Sequence, residues 1–170
     1  MWEMPDLGPP NLHHLNAAEG WIGLGNTTEA RHELSLVEPA FQNHPDVLDV
    51  FWSIAAKEEN WQEALGIARS LIEVAPDRFW GWVHYAYALR RVPEGGVRSA
   101  WQALLPAFDK FPQQPIIPYN LSCYACLLGQ LDAARVWLKR ALVIGKKGPI
   151  KEMALEEPDL KPLWEEIRQL

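Results

Sequence analysis

Cysteine, histidine and clustered charge are the places where this 170-residue sequence could do chemistry. Its two cysteines form one C-x2-C, Cys123-Tyr-Ala-Cys126. On a helix, i, i+3 spacing sets both sulfurs on one face, the geometry of a dithiol redox pair or of half a zinc site. A zinc site needs two more ligands, and the sequence has no second C-x2-C and no suitably spaced histidine pair. Cysteine is among the most buried residue types, so packing is the expected role of both. His13 and His14 are adjacent and would point about 100° apart on a helix, a poor geometry for joint metal binding. His32, His44 and His84 fall in separate segments. No H-E-x-x-H, G-x-S-x-G, phosphate loop or dinucleotide fingerprint occurs. The expectation is a protein that is not an enzyme and takes no metal and no cofactor.

Charge offers a different kind of chemistry. The net charge is 16 − 22 = −6. Residues 1–85 carry 4 basic and 13 acidic groups, net −9, and residues 86–170 carry 12 and 9, net +3. Between Ala133 and Lys151 stand six basic residues, Arg135, Lys139, Arg140, Lys146, Lys147 and Lys151, with no acidic one. Such a run is either a solvated helix face, neutralised in part by Glu156, Glu157, Glu165 and Glu166, or a docking patch for an acidic partner. That partner could be the acidic front of a second copy stacked head to tail, giving a homo-oligomer through acidic and basic ends. Nucleic acid is not expected, because phosphate binders present a basic domain. No stretch approaches 18 uncharged apolar residues, so no membrane span is expected. The prolines and acids of Met1 to Pro10 do not suit a secretory signal, and two cysteines agree with a reducing compartment, so the expected address is the cytoplasm.

These groups must be positioned by helices. Leucine occurs 22 times, alanine 19 times and threonine twice, a supply that favours helix over sheet. Four alanines mark a period. Ala30, Ala64, Ala100 and Ala134 each begin an amphipathic stretch, at spacings of 34, 36 and 34. Leu34, Ala68, Leu104 and Leu138 follow four residues later, and Pro76 and Pro112 stand twelve after the middle two, where a helix must stop. Gly25 and Gly129 lie five before their anchors, at the turn between paired helices, and Arg91-Val-Pro-Glu-Gly-Gly96 reads as a turn lengthened by two residues. Pro39 and Pro106 fall within otherwise helical stretches and predict a kink or an early stop.

The pattern resembles the tetratricopeptide repeat, a 34-residue helix-turn-helix unit with the signature W-x2-L-G-x2-Y, A-x3-F, P. The third repeat carries it best, as Trp82-x2-Tyr85-Ala86-x2-Leu89, Ala100-x3-Leu104 and Pro112. The second has Trp61-Gln-Glu-Ala64 to Pro76, the fourth has Leu121-Ser122-x2-Ala125, Gly129, Leu131 and Ala134 to Ala141, and the first has Ala17-Ala18-x2-Trp21-x3-Gly25. The resemblance implies an all-α fold, a right-handed α-solenoid of four helix pairs plus a C-terminal capping helix, and a bacterial source. The expected division is an extended segment 1–10, repeats over about 11–44, 45–78, 79–114 and 115–146, and a capping region 147–170 that starts its helix at Glu157-Pro158-Asp159. Trp52 occupies a slot where the family has a small residue, which predicts a splayed or shifted second pair.

In such arrays the first helix of each pair lines an inner surface. Repeat spacing then selects Leu12, Leu15, Glu19 and Ile22; Asp46, Asp49, Ser53 and Ala56; Trp80, Val83, Tyr87 and Arg90; and Ile116, Tyr119, Cys123 and Cys126. Tyr, Trp and Arg most often dominate binding energy. Trp80, Tyr87, Arg90, Tyr119 and Cys123 are therefore the expected partner-binding residues, and Arg135, Lys139, Arg140, Lys146 and Lys147 the possible docking patch. Acidic Glu19 and Asp49 stand where a well-known subset of the family carries a basic clamp for carboxylate tails, which argues against that ligand. The expected function is binding of a partner peptide or helix. The alternatives are a small client-specific chaperone, similar to those of type III secretion, and a self-assembling scaffold subunit. Six tryptophans, Trp21, Trp61, Trp82, Trp101, Trp137 and Trp164, read as packing between pairs, and Trp2 falls outside the repeats.

Overall fold

The computed structural model describes residues 6–170, so Trp2 and the first half of the expected 1–10 segment lie outside the described residues. All regular structure among the described residues is helical. The helices are α1 (Pro9–Gly23), α2 (Thr27–Ser35), α3 (Pro45–Lys57), α4 (Trp61–Val74), α5 (Phe79–Leu89), α6 (Val97–Lys110), α7 (Ile116–Leu127), α8 (Leu131–Ile144), α9 (Lys147–Glu156) and α10 (Trp164–Gln169), with 3-10 segments at Pro39–Phe41 and Pro158–Leu163. Asp6 to Gly8 have no regular structure, and α1 begins at Pro9, two residues before the expected start. Proline is well suited to that first position, where the missing N–H costs nothing and φ is already helical. The chain divides into two compact units, Met1–Ala88 and Leu89–Leu170, each described by itself.

One local device recurs in both units. Three-residue turns join α1 to α2, α3 to α4 and α7 to α8. In each, the middle residue is left-handed: Gly25 at φ 82°, Glu59 at 56° and Gly129 at 72°. The next amide then donates to the carbonyl five residues back, Asn26 to Trp21, Asn60 to Ala55 and Gln130 to Ala125, at 2.9, 2.8 and 2.9 Å. This closes the end of the first helix with the hydrogen bond of a Schellman motif. Asn26 and Asn60 then cap the second helix, their Oδ1 accepting from the Glu29 and Glu63 amides. The third connection is longer, as the sequence implies, running from Arg90 to Gly96.

In the first unit, α1 packs on α2 and α3 on α4, with α3 also against α1 and α2. The core is Leu15, Ala18, Ala30, Leu34, Val37, Val47, Val50 and Ile54. Arg31 on α2 reaches across to Glu63 at 2.8 and 2.9 Å and to Glu58, joining the turn after α3 to the helix before it. These carboxylates raise the Arg31 pKa, and Arg31 in turn holds Glu58 below the usual carboxylate range. Gly81 on α5 is buried, and a methyl there would meet Leu71 and Ile72 at 3.2–3.3 Å, so its absence lets α5 approach α4.

In the second unit, α7 packs on α6 and α8. Ser122 is fully buried, and its hydroxyl donates to the Ala134 carbonyl at 2.8 Å, a direct link from α7 to α8. The anchor alanines Ala30, Ala64, Ala100 and Ala134 have no exposed surface. Of the two suspect prolines, Pro39 stands four residues after the end of α2 and opens a 3-10 turn. Pro106 instead lies inside α6, which runs on to Lys110. Pro106 and Gln102 are both exposed, so water can take the Gln102 carbonyl that the missing N–H leaves unbonded.

The C-terminal region differs in detail from one helix beginning at Glu157. An α-helix is already present at Lys147–Glu156, and Pro158–Leu163 is 3-10 before α10 begins. Glu157 caps the segment by accepting from the Asp159 amide at 3.1 Å, and Pro162 removes the donor that a continuous α-helix would need. Leu160, Leu163 and Ile167 are buried, and the 3-10 segment packs on α7. The Trp164 indole fixes the return by donating to the Ala154 carbonyl at 2.9 Å.

Two glycines should respond oppositely to a methyl group. A Cβ at Gly95 would fall 1.9 Å from the Leu89 carbonyl oxygen, whereas one at Gly66, inside α4, would meet nothing within 4 Å. Gly95→Ala should destabilise by about 3 kcal/mol or more, and Gly66→Ala should stabilise by about 0.5–1 kcal/mol. Urea unfolding of the two variants checks both signs.

Candidate partner-binding site

The first unit gathers aromatic rings and one carboxylate on facing sides of α3 and α5. Trp52 does not occupy the space between α3 and α4, so the second pair is not splayed: Ala55, Ala64 and Ala68 are fully buried there. The Trp52 indole is turned toward α5 and stacks on His84 with ring centroids 3.7 Å apart and planes 12° from parallel. His84 in turn lies 5.6 Å from Trp80, with planes at 25°. Tyr87 completes the group, edge-on to Trp52 at 6.0 Å and tilted against Trp61 at 5.9 Å. Offset and edge-to-face aromatic pairs add about 0.5–1.5 kcal/mol each beyond burial.

Asp49 stands one turn before Trp52. His84 Nε2 is 3.5 Å from Asp49 Oδ1, close enough for attraction but without hydrogen-bond geometry, and Oδ1 is buried with no hydrogen-bond partner. Trp52 Nε1 is likewise buried without one. Ser53 Oγ donates to the Asp49 carbonyl at 2.9 Å, which leaves its lone pairs unused. Asp49, Ser53, Trp80 and His84 line a shallow pocket of about 230 Å³. Trp80 is 44% exposed and Tyr87 half-buried.

The expected binding residues divide between the units. Trp80 and Tyr87 belong to the first, with Asp49 and Ser53 beside them. Arg90, Tyr119 and Cys123 belong to the second, and there the expectation needs correction. Tyr119 and Cys123 are buried. The Tyr119 hydroxyl donates to the Met153 carbonyl at 3.2 Å, and Arg90 is paired with Asp159 at 2.7 Å, both groups only 16% exposed. The cause is the C-terminal region, whose 3-10 segment packs on α7 and which supplies the Met153 carbonyl to Tyr119 and the Asp159 carboxylate to Arg90. Arg90 also sits over the ring of Tyr124, 5.6 Å from its centroid.

Burial governs the cysteines as well. Both are reduced and buried. Desolvation pushes the Cys126 thiol up to about 11, with the Asp159 carboxylate adding to it. Cys123 is raised further, chiefly by burial and then by Glu157 and Asp159, and burial likewise raises the Tyr119 phenol. Thiols held protonated are poor nucleophiles and poor metal ligands. Among the described residues, no group of three or more His, Cys, Asp or Glu is placed to hold a metal ion.

The basic residues of the second unit are partly committed to its own structure. Arg135 makes two 2.8 Å hydrogen bonds to Glu166 and one of 2.7 Å to Asp132. Arg140 lies over Trp137 and Phe108, 4.5 and 5.3 Å from their centroids. Lys139, Lys146 and Lys147 are exposed, and Lys139 lies on α8 with the exposed Val136 and Val143. No described helix is long and apolar enough to cross a membrane.

Sequence spacing missed His84 and misplaced Trp52. The signal for both was present: His84 is four residues after Trp80 and three before Tyr87, and Trp52 is three after Asp49, so each shares a helix face with a residue that the repeat period had selected.

Two outcomes test this geometry. Trp52→Ala should cost about 3–5 kcal/mol by opening a buried cavity, and Trp80→Ala no more than about 1.5 kcal/mol; chemical denaturation of each variant measures the difference. In the native protein at pH 7.5, an aromatic disulfide reagent should modify Cys123 and Cys126 at least ~10-fold more slowly than free cysteine, with both reacting after guanidinium unfolding. Rapid native modification would contradict the burial described here.

No protein-family model matches the sequence, and no curated protein matches it. Solved structures do. The chain is similar to a thermophilic TPR protein of Thermus thermophilus, at 19% identity and a TM-score of 0.67, covering 94% of this chain and 100% of that one. It is also similar to MamA of Desulfovibrio magneticus, at 16% identity and a TM-score of 0.68, with 97% of each chain covered. A third is YrrB, described as a TPR protein with an unusual peptide-binding site, at 15% identity and a TM-score of 0.65, covering 85% of this chain and 73% of that one. With its recurring turns and alanine-anchored helix pairs, the chain has the tetratricopeptide-repeat fold.

Proposed function

We propose that the protein is a non-catalytic protein-interaction module, and that a segment of its partner binds to the face shared by α3 and α5. The observation that carries this reading is Trp80. A tryptophan 44% exposed, held in a fixed orientation by its stack on His84, offers a large rigid surface without a large ordering cost. Such residues are the usual energetic centre of a protein interface. Tyr87, half-buried two turns further along α5 and edge-on to Trp52, extends the same helix face. The fold supports the reading, since one structure of the same fold is described as binding peptide.

The second unit is given a different role. With Tyr119 and Cys123 covered and Arg90 paired to Asp159, its corresponding face is closed by the chain itself. The partner is therefore assigned to Asp49, Ser53, Trp80, His84 and Tyr87.

Affinity capture from native lysate tests the assignment. Trp80→Ala should lose partners that the wild type and an exposed-surface control, Lys161→Ala, both retain. Identical partner sets for all three proteins would remove the α3/α5 face from the account.

A further inference from the structure

We infer that the pocket of Asp49, Ser53, Trp80 and His84 receives an arginine side chain carried by a basic segment of the partner protein. This rests on the proposed use of the α3/α5 face and specifies what that face recognises.

The pocket holds an incomplete set of interactions. Asp49 presents a carboxylate whose Oδ1 is buried and accepts no hydrogen bond, with His84 Nε2 3.5 Å away. The Asp49 side chain as a whole is 30% exposed, so it is not sealed from an incoming donor. Ser53 Oγ has already given its proton to the Asp49 carbonyl and can only accept. The lining is thus rich in acceptors and asks for a ligand that donates.

Among the described residues of the unit, no lysine or arginine is directed to this place, and His84 is the one titratable base that lines it. Residues 1–88 contain four basic side chains against 13 acidic ones. Arg31 is held by Glu58 and Glu63, Arg78 by Asp46, Lys57 by the Ile22 carbonyl, and Arg69 lies over Tyr85. A balance of 4 − 13 = −9 on one unit draws a basic segment toward it and disfavours an acidic one.

Trp80 decides between the two basic side chains. A guanidinium is planar, so it can lie on an indole face while its in-plane N–H groups reach a carboxylate and a hydroxyl. The exposed Trp80, with Asp49 and Ser53 across the pocket, offers that combination. A lysine ammonium, compact and strongly hydrated, fits the charge but gains less from the flat surface.

The test uses the full chain labelled with 15N and an 11-residue Gly/Ser peptide bearing three arginines, with the same peptide carrying citrulline, which keeps the shape and removes the charge. The arginine peptide should shift the indole N–H resonances of Trp80 and Trp52 in a saturable way, and the citrulline peptide should bind at least about tenfold more weakly. Asp49→Asn should weaken arginine binding about tenfold, while Glu73→Gln, which removes one exposed charge from the same unit, should change it less than about twofold. Equal binding of the two peptides overturns the inference without depending on any variant's folding, and so does an equal effect of Asp49→Asn and Glu73→Gln, which would mean diffuse attraction only. If Trp80→Ala abolishes capture of the native partner but the arginine peptide shows no preference, the α3/α5 interface stands and the arginine pocket falls. If the peptide binds as expected but Trp80→Ala leaves partner capture intact, the partner assignment falls and the inference falls with it.

Discussion

Two helices of nine to fifteen residues can hide apolar surface only where they come close together, and here that distance is set by alanine. Ala30, Ala64, Ala100 and Ala134 have no exposed surface, and each sits at the same place in its helix. A larger side chain there would hold the helices apart and expose the leucines beside them, each worth about 1.5–3 kcal/mol when buried. The close approach also has a polar consequence: Ser122 reaches the Ala134 backbone carbonyl directly, which a wider spacing would forbid. The left-handed turn serves the same end. Gly25 and Gly129 take it without strain, and Glu59 takes it against the preference of a residue with a Cβ.

Tight pairing at the alanines leaves the bulky residues to work elsewhere. Trp52 is the clearest case. Because α3 and α4 meet over Ala55, Ala64 and Ala68, the indole finds its partner on α5, and its stack on His84 fixes the ring that in turn supports Trp80. The same arrangement brings Asp49 to His84 without giving its buried oxygen a hydrogen bond. A packing solution for one oversized residue thus creates a rigid aromatic wall beside an unsatisfied carboxylate. That pairing is what a donor-rich cationic ligand would complete.

The second unit resolves the equivalent problem internally. Its α7 face carries Tyr119 and Cys123, and the stretch from Met153 to Asp159 covers them, with the Tyr119 hydroxyl and the Arg90 guanidinium both satisfied. Burial then raises both thiols and the phenol, since the charged form of each would lose its hydration. Side chains that look like binding residues in a linear reading become core residues once a later segment folds over them.

The sequence by itself determined the helical class and the pairing. The spacing of Ala30, Ala64, Ala100 and Ala134 and the positions of Gly25 and Gly129 are local signals: they act within one helix or one turn, where neighbouring residues set the geometry. It also marked Asp49, Ser53, Trp80 and Tyr87 as sharing the first helices of their pairs. Tertiary structure alone decided which of the marked residues remain reachable. Whether Tyr119 is reachable or covered depends on the path of residues 147–170, and whether Trp52 faces α4 or α5 depends on the competition between two neighbouring surfaces. Such outcomes turn on long-range contacts between segments far apart in the chain, and periodicity, which reports only which face of its own helix a residue occupies, carries no information about what later covers that face.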